Sequence, residues 1–183
     1  MPAIRPYQPK DKENVRHVCA ETGPAAARAE GPVRDFILTA FCDYYAECEP
    51  HNSFVIADDH DEAVGYIFCG EDFKAYHRRF VGEYVTRLKG LGRVKCRFSA
   101  ELPRWLVKGY PAHLHIDILP GFQRMGLGSQ LMDALTAHLR AKGIPGVMLG
   151  VGSDNEKGLN FYAKYGFKKL LRIPGCVFMG LEL

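Results

Sequence analysis

The sequence lacks a marked charge of either sign. Its 24 lysines and arginines stand against 21 aspartates and glutamates, which gives a formal net charge of +3 over 183 residues. Domains that bind nucleic acid usually carry a concentrated basic face. This small and scattered excess therefore argues against nucleic acid as a partner, while an anionic small ligand is compatible with it.

A long apolar run is also missing. No stretch is long enough to span a bilayer, and residues 1–13 are polar, without the apolar core of a secretory signal. We therefore expect no membrane partner and a cytoplasmic location.

The six cysteines lack metal-binding and redox spacing. No two form a Cys-x-x-Cys pair, and no cluster with histidine has the spacing of zinc ligands. A reactive thiol or a disulfide framework is one alternative. The favoured alternative is that all six cysteines are reduced and mostly buried and act as small apolar side chains, in keeping with a reducing compartment. The cysteines are Cys19, Cys42, Cys48, Cys69, Cys96 and Cys176.

Hydrophobic periodicity predicts an α/β architecture of alternating short elements. Strands are expected at 4–7, 53–57, 63–69, 113–119, 147–151, 168–173 and 176–181, and helices at 9–21, 33–45, 126–141 and 155–165. The element order is β-α-α-β-β, then a helical insertion at 71–109, then β-α-β-α-β-β. No linker interrupts it, so one domain over residues 1–183 is expected.

The insertion at 71–109 carries large apolar residues at helical spacing. They predict a basic amphipathic helix, with a less regular piece around Trp105. A helix on a membrane surface or on a partner is one alternative, and a helix packed on its own domain is the favoured one. The residues that define the spacing are Phe73, Tyr76, Phe80, Tyr84 and Leu88.

The segment that says most about function is 113–128, with the sequence H-L-H-I-D-I-L-P-G-F-Q-R-M-G-L-G. A strand ends, a short glycine-containing loop follows, and a helix begins at once. This arrangement directs free backbone N–H groups and the positive end of a helix dipole at one point. Gly126 and Gly128 let an anion approach the backbone, and Arg124 adds a cation. The pattern predicts a phosphate or pyrophosphate cradle.

Two common nucleotide-binding motifs fit this loop poorly. A dinucleotide-binding turn needs a third glycine where Leu131 stands, and it lies early in its domain. A P-loop needs a lysine directly before Ser129, where the chain has Gly128. A plain structural turn remains as the alternative to a cradle.

Residues 123–128, Gln-Arg-Met-Gly-Leu-Gly, resemble the Q/R-x-x-G-x-G/A signature of the GNAT superfamily of N-acetyltransferases. Residues 155–167, N-E-K-G-L-N-F-Y-A-K-Y-G-F, are similar to its N-x-x-A-x-x-F-Y-x-x-x-G-F pattern, with Gly158 in place of the usual alanine. The element order matches over nearly the whole chain. The resemblance implies a GNAT fold, a mixed and mostly antiparallel sheet flanked by helices, with the helical insertion before the fourth strand.

The resemblance also implies acetyl-CoA as the acyl donor and an amine as the acceptor, either a small molecule or a peptide or protein lysine. A narrower likeness to the acetyltransferase-like domain of O-GlcNAcase rests on residues 113–120, on Asp154-Asn155 and on the insertion. Catalytic competence is in question for some members of that group. Two functions therefore stay open: direct acetyl transfer, and non-catalytic binding of acetyl-CoA.

The family's contacts to acetyl-CoA can be carried onto this chain by residue. The cradle would hold the pyrophosphate, and the backbone of Ile118 would serve the pantetheine or the thioester carbonyl. Asp154 or Asn155 could cap the following helix and also touch the ligand, with capping alone favoured for Asp154. Asn160 could contact the pantetheine arm or simply be exposed. The implied contacts are Ile118, Gln123, Arg124, Met125, Gly126, Leu127, Gly128, Ser129, Asn155, Asn160 and Tyr162.

Alternation along the predicted strand places His113, His115 and Asp117 on one face. Amine acetylation benefits from a base near the thioester, for which Asp117 is the first candidate, with His115 behind it. The alternatives are a hydrogen-bonded buried polar cluster and a metal site, and a metal is not expected because no further ligand is indicated. Tyr162 matches the family tyrosine that can protonate the departing CoA thiolate, or it is a packed core residue.

Overall fold

One mixed sheet carries the architecture. The computed structural model describes residues 1–101 and 104–183, with all their side chains except those of residues 99, 104 and 105. The strands are β1 Ala3–Pro6, β2 Phe54–Ala57, β3 Ala63–Gly70, β4 Ala112–Ile118, β5 Gly146–Gly152, β6 Lys168–Ile173 and β7 Cys176–Glu182. Within the described residues their order is β1-β2-β3-β4-β5-β7-β6. All neighbours pair antiparallel except β4 and β5, which are parallel.

Helices cover both faces of this sheet. They are α1 Lys12–Thr22, α2 Pro32–Leu38, α3 Tyr44–Cys48, α4 Phe73–Arg79, α5 Gly90–Glu101, α6 Leu127–Ala141 and α7 Glu156–Tyr165. Helices α1 to α5 pack on one face, and α6 and α7 on the other. Strand and helix order agree with the prediction, so the predicted fold class is confirmed.

Alternation along β4 separates its side chains between two cores. Leu114, Ile116 and Ile118 pack with α6. The polar residues between them therefore point to the opposite face, toward α1 and α2, as the period of two predicts. The fold thus brings His115 and Asp117 beneath helices that are distant in sequence.

The helical segment between α2 and α3 contains a widened turn. A π turn at Thr39–Asp43 joins the two helices, so that residues 32–48 form one helical run, longer than the predicted 33–45. A π turn inserts a residue and changes the direction of the side chains around it. Here it includes Phe41, whose ring stacks on His115 with 4.9 Å between centroids.

The insertion packs on its own chain. Phe73, Tyr76, Phe80, Tyr84 and Leu88 are all buried. The predicted helix is broken, however, because α4 passes into a π turn at Phe80–Tyr84 and a 3-10 turn at Val85–Arg87.

The insertion contains a second helix, α5, which the sequence pattern does not predict. After it comes a 3-10 turn at Arg104–Val107 in the region of Trp105, and the preceding residues 102 and 103 lie outside the described part. Among the described residues no helix has both the length and the apolar character needed to cross a membrane.

Candidate functional site

The parallel pair β4 and β5 separates soon after it forms. Among the described residues, only Ala112 with Val147 and His113 with Met148 are in register. By contrast, β4 stays paired to β3 as far as Ile118, and β5 stays paired to β7 along its whole length. The two strands therefore enclose an open gap, the β4–β5 wedge, between residues 114–118 and 149–152.

Backbone polar groups of β4 face into this wedge. The Leu119 N–H donates to the Val64 carbonyl at 3.0 Å, and hydrogen-bonded residues alternate along an antiparallel ladder. The backbone groups of Ile116 and Ile118 therefore point away from β3, toward β5. The Gln123 side-chain amide donates to the Ile118 carbonyl at 2.8 Å. This leaves the Ile118 N–H directed at the wedge, where the family resemblance implies that its backbone serves a ligand.

The predicted cradle lies at the open end of the wedge. Gly126 has φ +77° and immediately precedes α6, and Arg124 also adopts a left-handed backbone, with φ +63°. The Gln130 N–H, which donates to the Gly126 carbonyl at 3.2 Å, is the first amide bonded along α6. The preceding N–H groups have no intrahelical partner, as at any helix start. The loop thus presents free donors beside an exposed arginine.

The residues of the cradle differ in what they can offer a ligand. A Cβ added at Gly126 would meet nothing within 4 Å, whereas one at Gly128 would lie 3.4 Å from the Phe161 ring. A Cβ at Gly128 would thus make an ordinary contact with α7, and the expectation that Gly128 keeps an anion's path open stays a prediction. Leu127 is buried, so only its backbone can serve, while Ser129 and Met125 are exposed.

Helix α7 lies next to the cradle and begins at a capped turn. The side-chain oxygen of Asn155 accepts the Gly158 N–H at 2.9 Å, so Asn155 rather than Asp154 is the cap. A Cβ at position 158 would lie 2.8 Å from the Asn155 amide nitrogen. An alanine at this position would require the Asn155 side chain to shift. Asn160 is exposed.

His115 and Asp117 form a hydrogen-bonded pair on the other face of β4. The Asp117 Oδ2 atom lies 3.0 Å from His115 Nε2 and accepts the Tyr66 hydroxyl at 2.9 Å. Burial alone would lower the pKa of His115, but the Asp117 carboxylate, with help from Cys19, raises it to about 10. The raised pKa favours a protonated His115 imidazole at neutral pH.

Cys19 of α1 joins this pair. One ligand-type atom of Cys19, of His115 and of Asp117 lies within 4.8 Å of the others. A hydrogen bond with Cys42 and then the His115 imidazole lower the pKa of the Cys19 thiol to about 6, against the effect of burial. All six cysteines are among the described residues and are free thiols. Cys19 is buried, as predicted, and it also lies beside two polar side chains.

His113 does not belong to this group. Neither of its buried ring nitrogens has a hydrogen-bond partner within the described residues. Burial lowers the pKa of His113 to about 3, so the ring is neutral. The expectation of one cluster of three polar side chains thus holds for His115 and Asp117 and is wrong for His113.

A cavity of about 350 Å³ opens beside the wedge, and both His113 and His115 line it. Its wall on one side is formed by residues 148–152, from β5. On the other side it is lined by the aromatic rings of Phe41, Tyr45, Phe73, Tyr76 and Phe80. This is room for a reacting group beside the polar pair.

Tyr162 is near enough to Asp117 to be affected by its charge. Burial, and then the Asp117 carboxylate, raise the pKa of Tyr162 above its ordinary value. The hydroxyl therefore keeps its proton at neutral pH. The Tyr162 ring packs against those of Phe161 and Phe167, so the packed ring and a role for the hydroxyl are compatible.

Comparison with known families identifies this arrangement. Residues 21–167 of the 183 match the sequence model of the Acetyltransferase (GNAT) family. The chain belongs to the GNAT family. Rat protein O-GlcNAcase is 24% identical to this GNAT protein over an alignment of 191 positions, gaps included, which covers 94% of this chain and 20% of that protein. The chain thus spans about a fifth of the length of the curated O-GlcNAcases that it matches.

Solved structures agree with the family. The crystal structure of SsHAT superposes with a TM-score of 0.84 at 29% identity, covering 99% of this chain and 98% of that one. The PaiA N-acetyltransferase of Thermoplasma acidophilum, solved in complex with coenzyme A, gives a TM-score of 0.65 at 17% identity, covering 100% and 99%. The second likeness is one of fold alone. The GNAT fold of this chain is therefore shown by sequence and by structure.

Three residues of the site in this GNAT protein were missed from the sequence: Cys19, Phe41 and Tyr66. Tyr66 could have been predicted. It lies in the predicted hairpin strand at 63–69, and side chains alternate between the two faces of a strand. Pairing of this strand with the one that carries Asp117 would place the two side chains next to each other on one face. No local signal connects Cys19 or Phe41 to β4, since both lie more than seventy residues away along the chain.

Proposed function

We propose that the protein binds acetyl-CoA along the β4–β5 wedge and the cradle, and transfers the acetyl group directly to an amine. The observation that carries the proposal is the wedge itself, a gap with unpaired strand backbone that ends at a helix N-terminus. An elongated ligand with amide groups and an anionic end matches both parts. Family membership supports the same donor.

The cradle supplies fixed positive potential for the pyrophosphate. The free N–H groups before Gln130 and the dipole of α6 act on an anion without moving. Arg124 adds a flexible charge, and among the described residues it forms no ion pair that would have to be broken. Binding would therefore rest mainly on backbone groups, with a smaller part from the side chain.

We assign proton transfer to the polar residues beside the wedge. Asp117 is proposed to take the proton of the amine, directly or through water, with His115 beside it. Tyr162 is proposed to give its proton to the departing CoA thiolate. Direct transfer needs alignment of amine and thioester and polarisation of the carbonyl, for which the Ile118 N–H is directed into the wedge.

One observation favours the alternative, non-catalytic binding of acetyl-CoA. The Asp117 Oδ2 atom already accepts the Tyr66 hydroxyl and contacts His115. An oxygen that is already engaged by two neighbours is less available to take the proton of an amine. Purified protein screened against amines and peptides, with free CoA followed, separates the two: turnover supports the enzyme, and binding without turnover supports the module.

Acetyl-CoA is expected to stabilise the folded protein whatever the acceptor is. By mass action, ligand at a hundred times its dissociation constant raises the free energy of unfolding by roughly 2.7 kcal/mol. Titration calorimetry and thermal unfolding with millimolar acetyl-CoA measure this. Absence of both binding heat and a melting shift would refute the proposed function.

Arg124→Ala is expected to weaken acetyl-CoA binding up to about fivefold, since it removes one exposed cation worth up to about 1 kcal/mol. The left-handed backbone is unchanged, because alanine and arginine carry the same Cβ strain. Arg140→Ala, in the last turn of α6, is the matched control for net charge and should bind normally. Equal losses in both variants would show a long-range charge effect instead of a contact.

A further inference from the structure

Cys19, His115 and Asp117 bring three different metal-binding atoms together. A thiol sulfur, an imidazole nitrogen and a carboxylate oxygen lie within 4.8 Å of one another. We propose that these residues form a binding site for a zinc-like divalent cation. Nothing in this inference depends on acetyl-CoA binding.

The fold positions the three ligands from two directions. His115 and Asp117 lie two residues apart on one face of β4, as alternation requires. From the sequence alone this pair lacks a further ligand, and α1 supplies it. Cys19 lies on the buried side of α1, where it is 1% exposed. Three ligands held by a strand and a helix need little rearrangement to close on a cation.

The set of donor atoms selects the class of cation. Sulfur with imidazole and carboxylate suits zinc, whereas magnesium and calcium take six or more oxygen ligands. Three protein ligands with one open position are the pattern of accessible zinc sites. The proposal therefore commits to Zn²⁺ or an ion of similar softness.

Neighbouring groups already orient two of the ligands. The Tyr66 hydroxyl fixes Asp117 through Oδ2, and the Phe41 ring stacks on His115. Within the described residues Asp117 Oδ1 accepts no hydrogen bond, so one carboxylate oxygen keeps free lone pairs. Such outer contacts set ligand geometry in metal sites and strengthen binding.

The open position has access to a cavity. A space of about 170 Å³ is lined by all three proposed ligands and by Thr22, Gly23, Pro24, Ile37 and Phe41. It has room for a cation with a bound water. His115 also lines the larger cavity beside the wedge. A bound cation would occupy the atoms that the proposed function assigns to acetyl transfer, so Zn²⁺ is expected to inhibit it.

Cobalt(II) added to the purified protein without acetyl-CoA is the direct probe, because a thiolate ligand gives sulfur-to-metal charge-transfer absorption. We expect one Co²⁺ per chain with this band, displaced by Zn²⁺. Cys19→Ser should lose the band, while Cys42→Ser, which removes the adjacent buried thiol, should keep it. Tyr66→Phe should retain the band with affinity lowered roughly tenfold to hundredfold.

The site is disproved if folded wild-type protein shows no such band, or if Cys19→Ser keeps it while Cys42→Ser loses it. Circular dichroism checks that each variant folds. If Cys19→Ser does not fold, the lowered cobalt affinity of Tyr66→Phe is the test instead. Acetyl-CoA binding measured with a chelator present tests the proposed function separately. Normal acetyl-CoA binding without a cobalt band would refute the metal site alone.

Discussion

Gly126→Val is expected to weaken acetyl-CoA binding at least about a hundredfold, or ~2.7 kcal/mol, while the protein still folds. Gly126 lies where the loop turns into α6, and its missing Cβ faces open space, with no atom within 4 Å. A branched side chain there would stand where a pyrophosphate must approach the free N–H groups. Titration calorimetry measures the loss.

Gly143→Val is the matched control at the other end of the same helix. Gly143 has φ +69° and Gly126 has φ +77°, and an added Cβ meets nothing within 4 Å at either position. Both variants carry the cost of a left-handed non-glycine residue, roughly 1–2 kcal/mol. Only the first should lose acetyl-CoA. Unchanged binding in Gly126→Val would move the pyrophosphate away from this turn.

Tyr162→Phe is expected to lower kcat about a hundredfold to ten-thousandfold in any acetyl transfer that the protein performs. The hydroxyl has no hydrogen-bond partner among the described residues, so its loss should barely change stability. The ring that packs on Phe161 and Phe167 is kept. Because proton donation to sulfur occurs only in the transition state, acetyl-CoA affinity should be preserved.

Tyr165→Phe, one turn further along α7, should behave in the opposite way. The Tyr165 hydroxyl donates to Asp133 at 2.7 Å, and losing this bond costs up to about 1 kcal/mol of stability. Its kcat should be unchanged. Steady-state kinetics and thermal unfolding of both variants form the test. A normal kcat in Tyr162→Phe would leave the thiolate to be protonated by solvent.

The parts of the site that lie close together in sequence could be predicted. The cradle joins the end of β4 to the start of α6, so its turn, glycine and cation all lie within one short stretch. The cap of α7 is similarly local. For such features the residue types that a turn or helix end requires are visible in the sequence itself.

The parts that depend on tertiary packing could not be predicted. Cys19 lies beside His115 only because α1 packs across the sheet. Phe41 contacts the same imidazole ring from a π turn, and no residue type in the sequence predicts that turn. His113 shares its face of β4 with His115, yet its ring packs against Phe73 and Tyr76 of the insertion and finds no hydrogen-bond partner among the described residues. Periodicity fixes the face of a strand but not the helix that covers it.

The short register between β4 and β5 has a mechanical consequence. Strands β1–β4 and β5–β7 form two well-paired half-sheets, and in the described residues only two registered pairs join them directly. Such a seam is where a sheet opens most easily, because few backbone hydrogen bonds must break. A ligand bonded to both edges of the wedge would join the halves, so the protein's cooperativity of unfolding would depend on its substrate. The acetyl donor would then take the place of a strand between the two half-sheets, in addition to being a reactant.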